Sequence, residues 1–178
     1  MPELTGDPKQ HPDSKFQDSL TGSCLCGSIT VTIKDKELFS KPRGHLCHCS
    51  NCRKVAGSFV SSNLLIEADK VTIDDRDGTL KTYEDRATGS GNPVYRTFCS
   101  ADGNFYYLHG LTRSNSPVKS ETQAYPGKIV LKMGMMPRIP QPEYEGFGLH
   151  RHEWQGKHEG VTTFKTKWAG PDREKMDA

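Results

Sequence analysis

Long apolar runs are missing from this chain. No stretch approaches the roughly 18 consecutive apolar residues of a helical membrane span, and the first twenty residues, MPELTGDPKQHPDSKFQDSL, hold no apolar core of a secretory signal. The expectation is a cytoplasmic protein with no membrane association. An excess of one charge is lacking too: 24 Lys+Arg against 22 Asp+Glu leave a formal net charge of +2, with the signs interspersed. No basic face for a phosphate backbone is announced, so no nucleic-acid partner is expected. Low-complexity tracts, internal repeats and composition breaks are also absent. With 178 residues, 33% of them hydrophobic, the chain suits one domain around one modest core.

Helical periodicity is scarce. Apolar residues come instead in short, alternating, β-branched stretches: "SITVTI" (28–33), "FVSSNLLIE" (59–67), "TLKTYE" (79–84), "VYRTF" (94–98), "NFYYL" (104–108) and "KIVLKMG" (128–134). Bounded by Gly, Asn, Asp and Pro, these predict strands in a mainly antiparallel β fold. One helical turn is predicted, Asn51 to Val55, with Ser50 as its cap. Residues 1–18 are polar, carry Pro2, Pro8 and Pro12, and predict a flexible extension; 19–168 form the single domain, and 169–178 a flexible tail. The Pro-rich "MMPRIPQPEYEGFG" (135–148) predicts a long surface loop.

What the chain has in quantity, for a reducing compartment, is cysteine. Six are grouped as "GSCLCGS" around Cys24 and Cys26, "CHCSNC" with Cys47, Cys49 and Cys52, and "RTFCSADGN" around Cys99. A C-x-C loop strains a disulfide but suits chelation by two thiolates, and intracellular thiols stay free unless a metal or a reaction uses them. Zinc is the default ion for sulfur-rich, redox-quiet sites, although softness alone admits iron–sulfur clusters or Cu(I). Buried apolar cysteines and a redox C-x-x-C at "CSNC" (49–52) are the other readings. The first needs five thiols to gather in two polar turns by chance, and the second needs a strong helix after the motif.

Two four-coordinate sites would need eight ligands, and the chain supplies six sulfurs. Either one site is closed and some cysteines are left over, or there are two sites of which at least one is open. An open position separates catalytic from structural zinc.

The segments "GSCLCGSITVTI", "CHCSNCRKVAGSFVSSNL", "KTYEDRATGSGNPVYRTFCSADGNFYY", "GKIVLKMG" and "EYEGFGLHRHEW" together resemble the family of glutathione-dependent formaldehyde-activating enzymes, which includes centromere protein V. The resemblance runs in order from about residue 20 to 155. It implies a β-tent fold of packed antiparallel sheets with zinc-binding turns and little helix. It also implies two zinc ions: a structural one at Cys24, Cys26 and Cys99, and a catalytic one at Cys47, Cys49 and Cys52 with water or a substrate thiol as fourth ligand.

This chain departs from that pattern where the family's last cysteine falls on Asp102. Its carboxylate is expected to complete the structural site, more weakly than a thiolate would, while the alternative role for Asp102 is a turn residue before Gly103.

The implied function is a zinc-dependent carbon–sulfur lyase acting on a carbonyl or S-hydroxyalkyl substrate, with glutathione as a candidate partner. The alternatives are a zinc enzyme redirected to dehydration or cyclisation of a larger metabolite, and a non-catalytic zinc-stabilised binding module. His48, between two expected ligands, is the candidate proton carrier. Ser50 and Asn51 are candidates for hydrogen bonds to sulfur, Arg53 and Lys54 for an anionic substrate group, and His150 with His152, expected on one strand face, for metal or proton work. Arg96 is expected to be structural.

Overall fold

The computed structural model describes residues 12–89, 91, 93–109, 125–168, 170 and 173–176. Along the described chain the strands are β1 (Leu20–Ser23), β2 (Ile29–Ile33), β3 (His45–Cys47), β4 (Ser61–Glu67), β5 (Val71–Asp75), β6 (Leu80–Asp85), β7 (Val94–Cys99), β8 (Phe105–His109), β9 (Lys128–Lys132), β10 (Tyr144–Gly146) and β11 (Thr162–Thr163). Helix α1 (Ser50–Ala56) follows β3, and short 3-10 turns fill several connections. No described helix is long and apolar enough to cross a membrane.

The strands form two sheets. Three pair in the order β1-β2-β5, and eight in the order β11-β10-β3-β4-β9-β8-β7-β6. Pairing is antiparallel except around β10, which runs parallel to β3 and β11. The fold is therefore mainly β, as the alternating stretches predict. All six predicted strands form, with ends shifted by a residue or two; "KIVLKMG" stops at Lys132 because Met133–Met135 turns into a 3-10 helix.

One face of the large sheet packs on the small one. Alternation along β2 buries Ile29, Val31 and Ile33 against Leu64, Ile66, Ile129 and Leu131, with Leu20 and Leu38 fully buried in the same core. Each such side chain contributes on the order of 1.5–3 kcal/mol by leaving water. Cys24 and Cys99 belong to this interior.

The opposite face of the large sheet is also covered, but its buried residues are polar. His45 and Cys47 on β3, Ser61 and Asn63 on β4, Lys132 on β9 and Arg96 on β7 lie there, all buried. Register explains the grouping: Cys47 stands opposite Ser61, His45 opposite Asn63, and Asn63 opposite Lys132, and side chains of cross-strand partners share a face. Helix α1 lies over this face, tied to β6 by Asn51 Nδ2 donating to Asp85 Oδ2 at 2.9 Å. At the β10 end, Trp168 and Tyr144 close over His45, with ring centroids 4.9 and 5.9 Å from it.

Four expectations change. The cap of α1 is Cys49 rather than Ser50: Cys49 Sγ accepts from Cys52 N, and the helix ends at Gly57 in the left-handed region. The 135–148 segment is not all loop, because Tyr144–Gly146 joins the large sheet. Packed structure also begins before residue 19: Phe16 is buried, with its ring 6.3 Å from that of Phe39. Residues 1–11 of the predicted extension lie outside the described residues. In the segment read as a tail, Lys175 pairs with Phe164 and Met176 N donates to Thr163 O at 2.9 Å.

Candidate metal centres

The six cysteines separate into two clusters on opposite faces of the large sheet. The first draws on distant parts of the chain: Cys24 and Cys26 from the β1–β2 turn, Cys99 from the end of β7, and Asp102 from the turn that follows. Their ligand atoms lie within 4.8 Å of one another. Gly27, at φ 72°, lets the first turn reverse so tightly that its N–H reaches Cys24 O at 3.0 Å.

Cys24 and Cys26 sulfurs are 3.3 Å apart, and Cys26 and Cys99 sulfurs 3.7 Å. A tetrahedral zinc with bonds of about 2.3 Å sets its sulfurs about 3.8 Å apart; the Cys26–Cys99 separation matches this, and the Cys24–Cys26 pair lies closer. Ile29 N donates to Cys24 Sγ at 3.3 Å, a bond that steadies a thiolate.

Asp102 serves the turn and the cluster together. Its Oδ2 accepts from Cys26 N at 2.8 Å and its Oδ1 from Asn104 N at 2.9 Å. Burial pushes its carboxyl up, but those two N–H donors outweigh burial and hold it down at about 2. An ionised carboxylate is thus preorganised beside three thiols, and each oxygen keeps a lone pair beyond its backbone bond.

The second cluster is local. Cys47 ends β3, Cys49 caps α1 and Cys52 lies in its first turn, and the three sulfurs also lie within 4.8 Å of one another. Cys47 and Cys52 are buried; Cys49 is half-buried. Hydrogen bonds from Cys47 and Cys49 pull the Cys52 thiol far down despite its burial, and the charges of Lys132 and Arg96 add to this. Hydrogen bonds with Cys49 and Cys52, and then burial, push Cys47 up. One sulfur is thus stabilised as a thiolate by its neighbours and by two buried cations.

His48 points elsewhere. Its side chain has no exposure, and its Nε2 donates to Glu145 Oε2 at 2.8 Å. Glu145, equally buried, also accepts from Arg151 Nη1 at 2.6 Å, Thr163 Oγ1 at 2.7 Å and His158 Nδ1 at 3.2 Å. His48 Nδ1 is buried with no hydrogen-bond partner among the described residues. The expected proton carrier is thus fully buried and anchored to Glu145, and through that carboxylate it connects to His158, whose side chain is 38% exposed.

The remaining candidates scatter. Arg53 Nη1 meets His152 Nε2 at 2.7 Å on the exposed surface, and His152 stacks on Trp154 with centroids 5.8 Å apart. His150 ends a 3-10 turn and is exposed, so the two histidines do not share a strand face. Lys54 and Asn51 border a cavity of about 350 Å3 with Val55, Tyr83, Asp85 and Arg96. Arg96 pairs with Asp85 at 2.5 Å.

Lys132 and Glu145 escape sequence reasoning. Lys132 occupies a polar position of an alternating strand and reads as solvent-facing, and Glu145 sits in a Pro-rich stretch without periodicity. The one available signal is that Glu145 lies within a segment carrying the family resemblance, "EYEGFG".

A mainly β protein with two cysteine-rich clusters able to hold metal is the class that this geometry defines. Residues 19–148 match the family described as glutathione-dependent formaldehyde-activating enzyme, and the chain belongs to that family. A solved Rhodobacter sphaeroides protein is similar at a TM-score of 0.44 and 14% identity, covering 65% of this chain and 85% of that one. Among curated proteins, none matches.

Proposed function

We propose that the protein is a zinc-dependent enzyme of the carbon–sulfur lyase type, acting on a small carbonyl compound or its S-hydroxyalkyl adduct, with glutathione as the thiol. Support for the thiol and the carbonyl comes from the family's description. The observation that carries the reading is the inequality of the clusters: four potential ligands at Cys24, Cys26, Cys99 and Asp102, three at Cys47, Cys49 and Cys52. The first is read as structural, tying the β1–β2 turn to β7 inside a β-tent. The second is read as catalytic.

Zinc held by three thiolates supplies one open position where a thiol or water loses its proton near neutral pH. The chain's own residues prepare that position. Cys49, the least buried of the three, marks the side from which a substrate arrives. The cavity between α1 and β6–β7, about 350 Å3 in volume, gives a small adduct room beside Asn51 and Lys54. His48 acts as a positioning residue: anchored to Glu145, it orients the turn that carries Cys47 and Cys49. A cytoplasmic setting, which keeps all six thiols reduced, belongs to the same reading.

Metal analysis of the purified protein should give two zinc ions per chain. NMR exchange spectroscopy on formaldehyde and glutathione should show accelerated formation and breakdown of the S-hydroxymethyl adduct, lost in Cys49→Ala and Cys52→Ala while far-UV circular dichroism stays unchanged. A wild-type protein that accelerates neither direction, or variants that keep full turnover, would overturn the reading.

A further inference from the structure

Lys132 ends β9 with 5% of its surface exposed, and its ammonium donates to Ser61 Oγ at 2.7 Å and Asn63 Oδ1 at 2.8 Å. Both acceptors are neutral. Arg96, the other buried cation on this face, is matched by Asp85 at 2.5 Å, whereas Lys132 has no carboxylate within ion-pair distance among the described residues. A buried cation is costly unless something nearby supplies the opposite charge.

The groups placed to supply it are the thiols. Ser61, which receives the Lys132 ammonium, stands directly opposite Cys47 in the β3–β4 ladder. Burial pulls the Lys132 ammonium down, Arg96 adds to that pull, and the charges opposing it come from Cys52, Cys47 and Cys49. Three thiolates around a divalent ion carry one net negative charge, and one buried ammonium cancels it.

We propose that Lys132 is the counter-ion of the Cys47–Cys49–Cys52 centre, a positioning residue whose fixed charge balances the three ligating sulfurs through the Ser61–Asn63 platform. The proposal rests on the reading of those thiols as a metal centre. It gives Lys132 a consequence for substrate choice: an anionic thiolate meets a neutral centre rather than a negative one.

Lys132→Gln removes the charge and keeps a donor for Ser61 or Asn63; Lys132→Met serves the same comparison where the glutamine variant does not fold, and Lys132→Arg restores the charge. Zinc affinity is measured by competition with a chromophoric chelator, and protein loaded with an NMR-active cadmium isotope gives one resonance per centre. One of the two centres should weaken by about 10- to 100-fold in Lys132→Gln, the range for a lost outer partner of a metal ligand. Lys132→Arg should recover most of that loss. The cadmium resonance of the Cys47 centre should move while that of the Cys24 centre stays.

Unchanged affinity at both centres, an equal loss at both, or a loss that Lys132→Arg does not restore would overturn the proposal and leave Lys132 a hydrogen-bond hub for Ser61 and Asn63. The two levels separate cleanly. Wild-type protein taking up no metal at Cys47, Cys49 and Cys52 defeats the functional reading as well, whereas two bound metals with an unaffected Lys132→Gln defeat the counter-ion alone.

Discussion

Glu145 accepts the Nε2 proton of His48 at 2.8 Å, with neither side chain exposed to solvent. Three more donors, from Arg151, Thr163 and His158, converge on the same carboxylate. Glu145→Ala strands a buried imidazole and a mostly buried guanidinium, and removing one partner of such a set costs about 3–5 kcal/mol. Urea unfolding of the zinc-loaded protein should show a loss of that size, with Glu145→Gln milder. A loss below about 1 kcal/mol, the scale of an exposed pair, would mean that the network does not hold β10 in place.

The same carboxylate makes stability depend on pH. Burial pushes it up, but His48, Thr163 and Arg151 hold it down at about 2, below its ordinary 4.5. A depressed folded-state value stabilises the protein above the unfolded-state value, and that contribution disappears as pH falls through the folded one. The stability difference between wild type and Glu145→Gln should therefore be full above pH 4.5 and shrink toward about 2. Taking the difference cancels acid effects common to both proteins. A difference that stays constant across that window would disprove the assignment.

Asp102 can be separated from its turn role by counting metal. Asp102→Ala should weaken one zinc centre by about 10- to 100-fold in chelator competition and leave the other unmoved. Asp102→Cys should retain zinc more tightly than wild type. If Asp102→Ala changes only thermal stability, the carboxylate serves the Cys26 and Asn104 N–H groups and not the metal.

Gly44 leads into β3 at φ +90°, and a Cβ there would sit 2.6 Å from Asn63 O. Neither the backbone conformation nor the β4 carbonyl can yield cheaply. Gly44→Ala should cost about 1–3 kcal/mol for the strained conformation alone, and the collision adds to this by pushing Asn63 away from Lys132. Denaturant unfolding with zinc titration checks both consequences; an unchanged midpoint would show that the β3–β4 approach is slack.

Phe16 tests where the packed unit begins. Its ring is buried beside Phe39, so Phe16→Ala should cost about 3–5 kcal/mol, the usual loss for a core phenylalanine. A change under about 0.5 kcal/mol, typical of a surface site, would place the boundary after it.

Strand alternation in "SITVTI" or "VYRTF" is legible because it is local: each side chain's face depends on its neighbours two residues away. Tyr144–Gly146 was not legible as a strand, since its partner β3 is remote in sequence and parallel, and a three-residue strand leaves no periodic trace. Cys49 as helix cap was open to local reading but was overshadowed by Ser50, a better cap by type; the sulfur took the role because it already faces Cys52 N.

By itself the sequence determined the β class, and it determined that Cys47, Cys49 and Cys52 can meet one ion, because two- and three-residue spacings leave the sulfurs little choice. The joining of Cys99 and Asp102 to Cys24 and Cys26 was implied only by family resemblance. Tertiary structure alone decided that the two clusters occupy opposite faces of one sheet, that His48 is buried against Glu145, and that Lys132 is buried on the face of Cys47 with no carboxylate partner among the described residues. Those facts depend on strand register between distant segments, and register sets which face, and which neighbours, a charged side chain receives.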